Sequence, residues 1–312
     1  MIFKAYHKIR QFKDVVRDVK HNADFKGVDE DGKIIYEESK KPVITFIGTV
    51  KLHGSNALVS YDGKELLAGK RSSFLGKDDL QAHFGFNQFV QVTYKDYFLD
   101  LMQDLHKKHC KDGQQIILYG EFAGKGIQKG VAISELDKSF YIFEAKVYDK
   151  ELDKTEWLDI SAWEFEPENI YNIYEFPSYR IDIDFNKPQD FQNKLVEITE
   201  AVEKECPVSK QLGISGVGEG VVWTGFWKDQ KYIFKVKGEK HSTSKVKKLA
   251  SVDPEVLKNI NDFVDYAATQ NRIEQAIQET GAEEKKDMPD LLRWIANDII
   301  KEEDDVLKAN NL

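Results

Sequence analysis

The chain of 312 residues has few cysteines and no long apolar run, and each shortage excludes a class of protein. Its two cysteines, Cys110 and Cys206, cannot form a disulfide framework, a four-ligand zinc site or a CxxC redox motif. No apolar run approaches the roughly 20 residues that a transmembrane helix needs. The stretch Met1–His7 lacks the apolar core of a secretory signal. We therefore expect a cytoplasmic protein with reduced thiols and no membrane contact.

An excess of positive charge is also lacking, because the formal net charge is −9. That value argues against a generally basic surface for nucleic acid. Lysines are nevertheless concentrated between Lys235 and Lys248, where Glu239 is the single acidic residue. After Ser251, acidic residues outnumber basic ones about two to one. An acidic protein with one basic segment indicates local contact with phosphate groups.

The pattern of apolar residues changes near residue 248 and predicts two domains, which the length allows. Before this point, apolar runs between turn residues predict mainly strands, at 43–50, 57–61, 66–69, 115–120, 140–148, 217–226 and 232–236. Helical spacing predicts helices at 9–19, 80–109 and 190–206. After residue 248 only helical patterns follow. The sequence therefore predicts an α+β protein with a small all-helical C-terminal domain.

The most informative stretch is Thr49–Ala57, at the end of the predicted strand 43–50. The strand leads to Lys51, and Gly54 after it would let the backbone approach a ligand closely. A lysine amine attacks phosphorus or a carbonyl only when neutral, and its unperturbed pKa is about 10.4. A pocket that desolvates it, or places other cations beside it, lowers that pKa. The stretch thus predicts a nucleophilic lysine, although a surface lysine before an ordinary turn has the same pattern.

Several other charged residues stand where a nucleotide could be bound. Arg71 closes a predicted hairpin and suits phosphate or ribose. Glu121 and Glu219 lie between glycines at strand ends, where a carboxylate can accept from ribose hydroxyls or hold a metal. Lys235 and Lys237 share one face of a strand, which is destabilising unless an anion lies between them. These residue types together indicate a phosphate-binding site.

The predicted strand 140–148 is rich in aromatic residues. Tyr141 and Phe143 are two positions apart and are expected to share a face. Such a face can stack on a purine ring when it lines a pocket. A strand that simply packs in the core has the same composition.

These stretches resemble, in order and rough spacing, the six motifs of the covalent nucleotidyltransferases, the superfamily of ATP-dependent DNA ligases, RNA ligases and mRNA capping enzymes. They are Lys51-x-His53-Gly54-Ser55-Asn56, Lys70-Arg71-Ser72, Tyr119-Gly120-Glu121, Phe140-x-x-Phe143-Glu144, Glu219-Gly220-Val221-Val222 and Lys235-Val236-Lys237. The details most resemble the RNA ligase 2 family, whose nucleophile motif reads Lys-x-His/Asp-Gly-x-Asn. The resemblance covers residues 1–248 and extends weakly to Thr269–Ile273. Glu144 departs from it, because the family commonly has aspartate there.

The resemblance implies an antiparallel-sheet nucleotidyltransferase (adenylyltransferase) domain at 1–248 and a helical C-terminal domain at 249–312. It also implies an RNA ligase that uses ATP and Mg²⁺, for which Mn²⁺ can substitute, in an activity suited to RNA repair. Lys51 would take AMP from ATP as a phosphoramidate and release pyrophosphate. AMP would then pass to an RNA 5′-phosphate and be displaced by a 3′-hydroxyl.

The resemblance assigns the site residue by residue. The catalytic residues would be Lys51, Lys235 and Lys237. The residues that bind ATP or AMP would be Leu52, His53, Asn56, Arg71, Glu121, Phe143, Glu219, Lys235 and Lys237. Glu219 would also hold the metal, directly or through water. Phe143 would stack on adenine, with Tyr141 as the second choice.

Two alternatives to an RNA ligase are an ATP-dependent DNA ligase-like enzyme and a catalytically silent RNA-binding scaffold. The first would carry a β-barrel after the last motif, where no strand pattern appears. The second would not need the lysine cluster, which is costly to retain without its anion. The expected partners are RNA ends, foremost a nicked duplex, with tRNA-like breaks and single-stranded ends left open. We expect a monomer without a protein partner, with Lys245–Lys248 contacting phosphate near the nick.

Overall fold

A computed structural model describes residues 1–30, 32–238, 263–264, 267–282 and 287–309. The helices are α1 (Phe12–Asp24), α2 (Ala82–Gln88), α3 (Lys95–His109), α4 (Gln192–Lys204), α5 (Pro207–Gln211), α6 (Gln270–Thr280) and α7 (Met288–Ala309). The strands are β1 (Phe25–Val28), β2 (Ile34–Tyr36), β3 (Val43–Lys51), β4 (Ser55–Tyr61), β5 (Leu66–Lys70), β6 (Ser73–Phe74), β7 (Gln114–Ala123), β8 (Ser139–Asp149), β9 (Lys154–Leu158), β10 (Ile170–Asn172), β11 (Tyr179–Asp184), β12 (Gly220–Trp227) and β13 (Gln230–Lys237). Helices and mainly antiparallel strands make this an α+β protein, as predicted.

The chain forms two compact units, each built from separate stretches of sequence. The first comprises Met1–Ile9, Gly48–Tyr179 and Lys204–Glu219. The second comprises Arg10–Ile47, Arg180–Glu203 and Gly220–Leu312. The predicted boundary near residue 248 and the lysines at 245–248 lie outside the described residues.

A seven-stranded sheet forms the first unit, with the strand order β10-β8-β7-β4-β5-β6 and β9 paired to β8. Its neighbours pair antiparallel, except that β10 runs parallel to β8. One face packs against α2 and α3 through a large apolar core that includes Phe86, Phe98, Phe122 and Phe140. The other face carries a smaller cluster around Tyr6, Tyr119 and Tyr148. The central strands β4, β7 and β8 are mostly buried, because side chains cover both faces of the sheet there.

A four-stranded sheet in the order β11-β3-β12-β13 belongs mainly to the second unit, and β3 continues from Gly48 into the first. Phe46 of β3, Trp223 of β12 and Phe234 of β13 are buried at its centre, and Phe12 of α1 packs on Phe234 with ring centroids 5.0 Å apart. β12 and β13 form a hairpin whose turn residues, Lys228 and Asp229, both have positive φ. The predicted strands at 217–226 and 232–236 are therefore confirmed as a pair joined by a tight turn.

The C-terminal helices also belong to the second unit, and the described residues 270–280 and 288–309 confirm the helical prediction there. Thr269 begins α6, because its hydroxyl accepts from the Arg272 N–H at 3.2 Å. Among the described helices, none is long and apolar enough to cross a membrane.

The predicted helix at 80–109 is broken, which corrects the sequence interpretation. His83, Phe84 and Gly85 all have positive φ, a conformation outside the right-handed helix region. A short stretch of wider helix at Phe89–Thr93 then leads into α3. Of the residues with helical spacing, Phe86, Phe89, Phe98 and Leu105 are buried, whereas Phe84 and Val92 are exposed. Apolar spacing does not report on the backbone angles that turn the chain here.

Candidate functional site

The side chain of Lys51 lies at the end of β3 and forms a buried ion pair in the first unit. Its Nζ donates to Oε2 of Glu219 at 2.7 Å, and the two side chains are 19% and 2% exposed. Nδ1 of His53 lies 3.4 Å from the same carboxylate oxygen. The predicted nucleophile and the predicted metal ligand are therefore direct neighbours, although 168 residues separate them in the sequence.

The backbone after Lys51 turns tightly against the end of β7, which explains the glycine in the motif. A Cβ atom at Gly54 would lie 2.4 Å from the Phe122 carbonyl oxygen and 2.8 Å from the Ala123 Cβ. The Gly54 N–H donates to Oε1 of Glu121 at 3.1 Å. Gly54 thus allows a close approach, as the sequence predicts, but to β7. This contact joins the lysine motif to the Glu121 motif.

The carboxyl group of Glu121 is electrostatically unusual. Burial raises its pKa to about 7. The nearby Lys51 ammonium acts in the opposite direction and lowers the pKa, but burial has the larger effect. The charge of Glu219 raises it further, and the Gly54 N–H and His53 oppose that rise. Near neutral pH both forms of Glu121 are therefore populated. Either form can bond a hydroxyl, since a carboxylate accepts and a carboxylic acid also donates.

Asn56, Glu121 and Tyr141 lie in one row across β4, β7 and β8, since each is the register partner of the next. Oδ1 of Asn56 is buried and has no hydrogen-bond partner among the described residues. A buried acceptor without a donor is costly, so a bound polar ligand would satisfy it. His83 supports this position from the backbone side, with its Nε2 3.1 Å from the Asn56 carbonyl oxygen. Sequence analysis missed His83, because nothing in the pattern marks its contact.

Leu52 and Arg71 are placed differently from the other predicted site residues. Leu52 is buried, so its side chain belongs to the core. Arg71 is exposed in the turn between β5 and β6. Leu52 comes directly after β3 and Arg71 directly after β5, so the ends of these strands set both positions.

The aromatic strand β8 contains a bulge that changes the predicted alternation of its side chains. Tyr119 pairs with Glu144 and Gly120 pairs with Ile142, so Phe143 is the extra residue between them. Phe143 is half-buried and packs edge-on against Tyr6, with ring centroids 5.0 Å apart. Tyr141, in contrast, is buried and stacks on Tyr171 at 5.3 Å.

Lys235 and Lys237 lie on β13 in the second unit, where they face Val222 and Gly220 across the hairpin. Nζ of Lys235 donates to Oε2 of Glu302 on α7 at 2.7 Å, and the side chains are 15% and 17% exposed. Burial raises the pKa of Glu302, but the Lys235 ammonium, with Lys237 and Lys301, outweighs it and brings that pKa to about 2. The anion that this lysine pair was predicted to need is therefore present within the chain. The sequence alone does not mark Glu302 as this anion, because Glu302 is one of several acidic residues in the same helix.

The donor groups at the first site suit a hard divalent cation. Among the described residues, no group of three or more His, Cys, Asp or Glu side chains could hold a metal by itself. Mg²⁺ is commonly held by one or two carboxylates together with substrate phosphates and water. Glu219, whose charge acts on the nearby Glu121 carboxyl, provides oxygen donors of this kind.

Comparisons with known proteins match one family model and several solved structures. The family model described as RNA ligase matches residues 44–237. Among solved structures, the chain is similar to Naegleria gruberi RNA ligase with PPi, with a TM-score of 0.46 and 16% identity over 76% of this chain and 57% of that one. A Lys-to-Met mutant of that ligase with AMP and Mn gives 0.46 and 15% identity over 75% and 56%. The chain thus spans less than two thirds of these proteins, and the comparison with curated proteins found no match.

Proposed function

Because the chain belongs to the RNA ligase family, we propose that it seals RNA 5′-phosphate and 3′-hydroxyl ends with ATP, through a lysyl-AMP and an RNA-adenylate. The observation that supports this most is the cluster in which Lys51 pairs with Glu219 beside His53 and Glu121. A protein that only bound RNA would not need a buried lysine with this counter-ion. We place the adenylyltransferase domain at 1–248 and the helical domain at 249–312.

In the first step, Nζ of Lys51 forms a bond to the α-phosphorus of ATP. The bond between that phosphorus and the oxygen that bridges to the β-phosphate breaks. Pyrophosphate leaves, and Nζ gives up two protons to solvent: one when the ammonium becomes the neutral amine that attacks, and one when that amine becomes the phosphoramidate. Glu219 holds the Lys51 side chain as an ammonium before the reaction, at a defined position at the end of β3. Pairing with a carboxylate favours the charged form of a lysine, so the attack requires that this pair be weakened. A cation that competes for Glu219 would weaken it.

The metal proposed for this site is Mg²⁺, with Mn²⁺ as a substitute. Bound there, it would neutralise triphosphate charge and stabilise the charge that develops at phosphorus. Glu219 would hold it, directly or through water. Glu121 would bind the ribose, Asn56 would accept a bond with its buried Oδ1, and half-buried Phe143 would stack on adenine.

In the second step, an oxygen of the RNA 5′-phosphate forms a bond to the AMP phosphorus and the bond to Lys51 breaks, returning a proton to the amine. In the third step, the RNA 3′-hydroxyl oxygen forms a bond to the 5′-phosphorus, loses its proton, and AMP leaves. Lys235 and Lys237 would hold the phosphates, and exposed Arg71 would reach the ribose or the RNA terminus. A nicked duplex is the proposed substrate.

The experiment that tests this function is label transfer from ATP carrying a radioactive α-phosphate, read on a denaturing gel. We expect the wild type to become labelled and Lys51→Ala to remain unlabelled. Lys64→Ala is the matched control, because Lys64 is an exposed lysine in the β4–β5 turn. If the wild type is folded and takes no label, the proposed enzymatic activity is wrong and the scaffold alternative remains. Sealing of nicked RNA, nicked DNA and single-stranded RNA ends would then identify the substrate.

A further inference from the structure

The contact between α7 and Lys235 involves a residue that the family motifs do not include. Glu302 reaches Lys235 from 67 positions later in the sequence, and both side chains are largely removed from water. Because its pKa is about 2, Glu302 is a permanent anion at any pH at which the protein would work. The charge that faces Lys235 in this structure therefore does not depend on protonation.

The helix that carries Glu302 is held in place by other contacts. Arg272 of α6 is fully buried, and its Nε donates to Oδ2 of Asp298 on α7 at 2.9 Å. One of its terminal nitrogens donates to Oε1 of Glu303 at 3.3 Å, and another to the Ala267 carbonyl oxygen. These contacts, and not the Glu302 pair alone, position α7. Glu302 could therefore leave Lys235 while the Arg272 contacts remain.

We propose that Glu302 is an internal competitor of the nucleotide, which occupies the Lys235 ammonium until a phosphate group of ATP replaces it. This inference rests on the proposed role of Lys235 in phosphate binding. A carboxylate and a phosphate on one partly buried ammonium repel each other, because charges away from water are weakly screened. ATP binding then requires displacement of Glu302 from Lys235. The contact between Glu302 and Lys235 therefore weakens ATP binding, and bound ATP weakens that contact by the same factor.

The affinity of ATP for a Glu302→Gln variant tests the proposal. Glutamine keeps the size of the side chain and removes its charge. The measurement is calorimetric titration with ATP and Mg²⁺, made in a Lys51→Ala background so that no adduct forms. A charged hydrogen bond of this kind corresponds to about tenfold or more in an equilibrium constant. We therefore expect E302Q to bind ATP about tenfold more tightly than its parent.

The matched control is Asp290→Asn, which removes one negative charge from an exposed position on the same helix. It should bind ATP as the parent does. Equal affinities of E302Q and D290N, or weaker binding by E302Q, would overturn the proposal and make Glu302 a structural partner of Lys235. If no variant, including the parent, binds ATP, the proposed function fails and this inference fails with it.

Hydrogen exchange gives a second readout that does not depend on the folding of a Glu302 variant. In the Lys51→Ala protein, saturating ATP and Mg²⁺ should raise amide exchange in the part of α7 around Glu302. Exchange in α1, on the same unit, serves as the reference. Unchanged or slower exchange around Glu302 at saturating ATP would contradict the displacement.

Discussion

Replacing Glu121 with glutamine is expected to remove a pH dependence from the stability of the protein. The folded-state pKa of this carboxyl is about 7, raised above its usual value of 4.5 by burial. A group whose pKa rises on folding contributes stability that is fully present below the unfolded-state value and is lost as the pH rises through the folded-state value. The wild type should therefore become less stable between about pH 4.5 and pH 7.

The size of this effect follows from the difference between the two pKa values. Each pKa unit corresponds to about 1.4 kcal/mol, so a rise from 4.5 to about 7 gives about 3 kcal/mol at pH 8. Glutamine cannot ionise, and its Oε1 can still accept from the Gly54 N–H. Glu121→Gln should accordingly match the wild type near pH 4.5 and exceed its free energy of unfolding at pH 8.

The assay is urea-induced unfolding of wild type and Glu121→Gln at a series of pH values from 4.5 to 8. Glu164→Gln is the matched control, since Glu164 is an exposed glutamate of the same unit. The difference between Glu121→Gln and wild type should grow with pH, and that for Glu164→Gln should stay near zero. A constant difference across the series would refute the idea that burial disfavours the ionised carboxylate at this position.

Two further substitutions have outcomes that follow from the same structure. Gly54→Ala should lower the free energy of unfolding by about 2 kcal/mol in urea, because the new Cβ would meet the Phe122 carbonyl oxygen. It should also lower label transfer from ATP. Gly76→Ala is the neutral control, because nothing lies within 4 Å of a Cβ at that position. Arg272→Met should lower stability by about 3 kcal/mol, because removing one partner of a buried ion network leaves carboxylates poorly compensated, and α7 should then exchange its amides faster. Unchanged exchange in α7 would show that Arg272 does not hold it.

The core strands and the lysine motif follow from the sequence, because both depend on local patterns. Apolar runs predict β3, β4, β7 and β8 within a few residues, since a strand covered on both faces must be apolar along its length. Lys51 and Glu121 are recognisable because glycines and strand ends surround them. Their approach to each other depends on sheet pairing, which a local pattern does not contain.

Other features of the site could not be predicted, for physical reasons that differ from case to case. The bulge at Phe143 adds one residue to β8. A strict alternation of side chains predicts that Tyr141 and Phe143 share a face, and the bulge interrupts that alternation between them. The break at His83 is accompanied by contacts that are distant in sequence, from Lys138 to the Phe84 carbonyl oxygen and from His83 to the Asn56 carbonyl oxygen, which a local pattern does not contain. Glu302 is one acid among several on α7, and only the packing of that helix selects it for Lys235.

The two ion pairs suggest how the nucleotide would be bound. Lys51 and Lys235, which the family resemblance assigns to phosphate chemistry, each hold a carboxylate at 2.7 Å. A lysine largely removed from water requires an anion, and Glu219 and Glu302 supply it. Under the proposed function, ATP binding would be an exchange of anions, in which the affinity is the difference between phosphate and carboxylate contacts. Removing Glu302 should strengthen ATP binding, whereas removing Glu219 should also remove the proposed metal ligand. The two glutamates are therefore expected to have opposite effects on adenylylation.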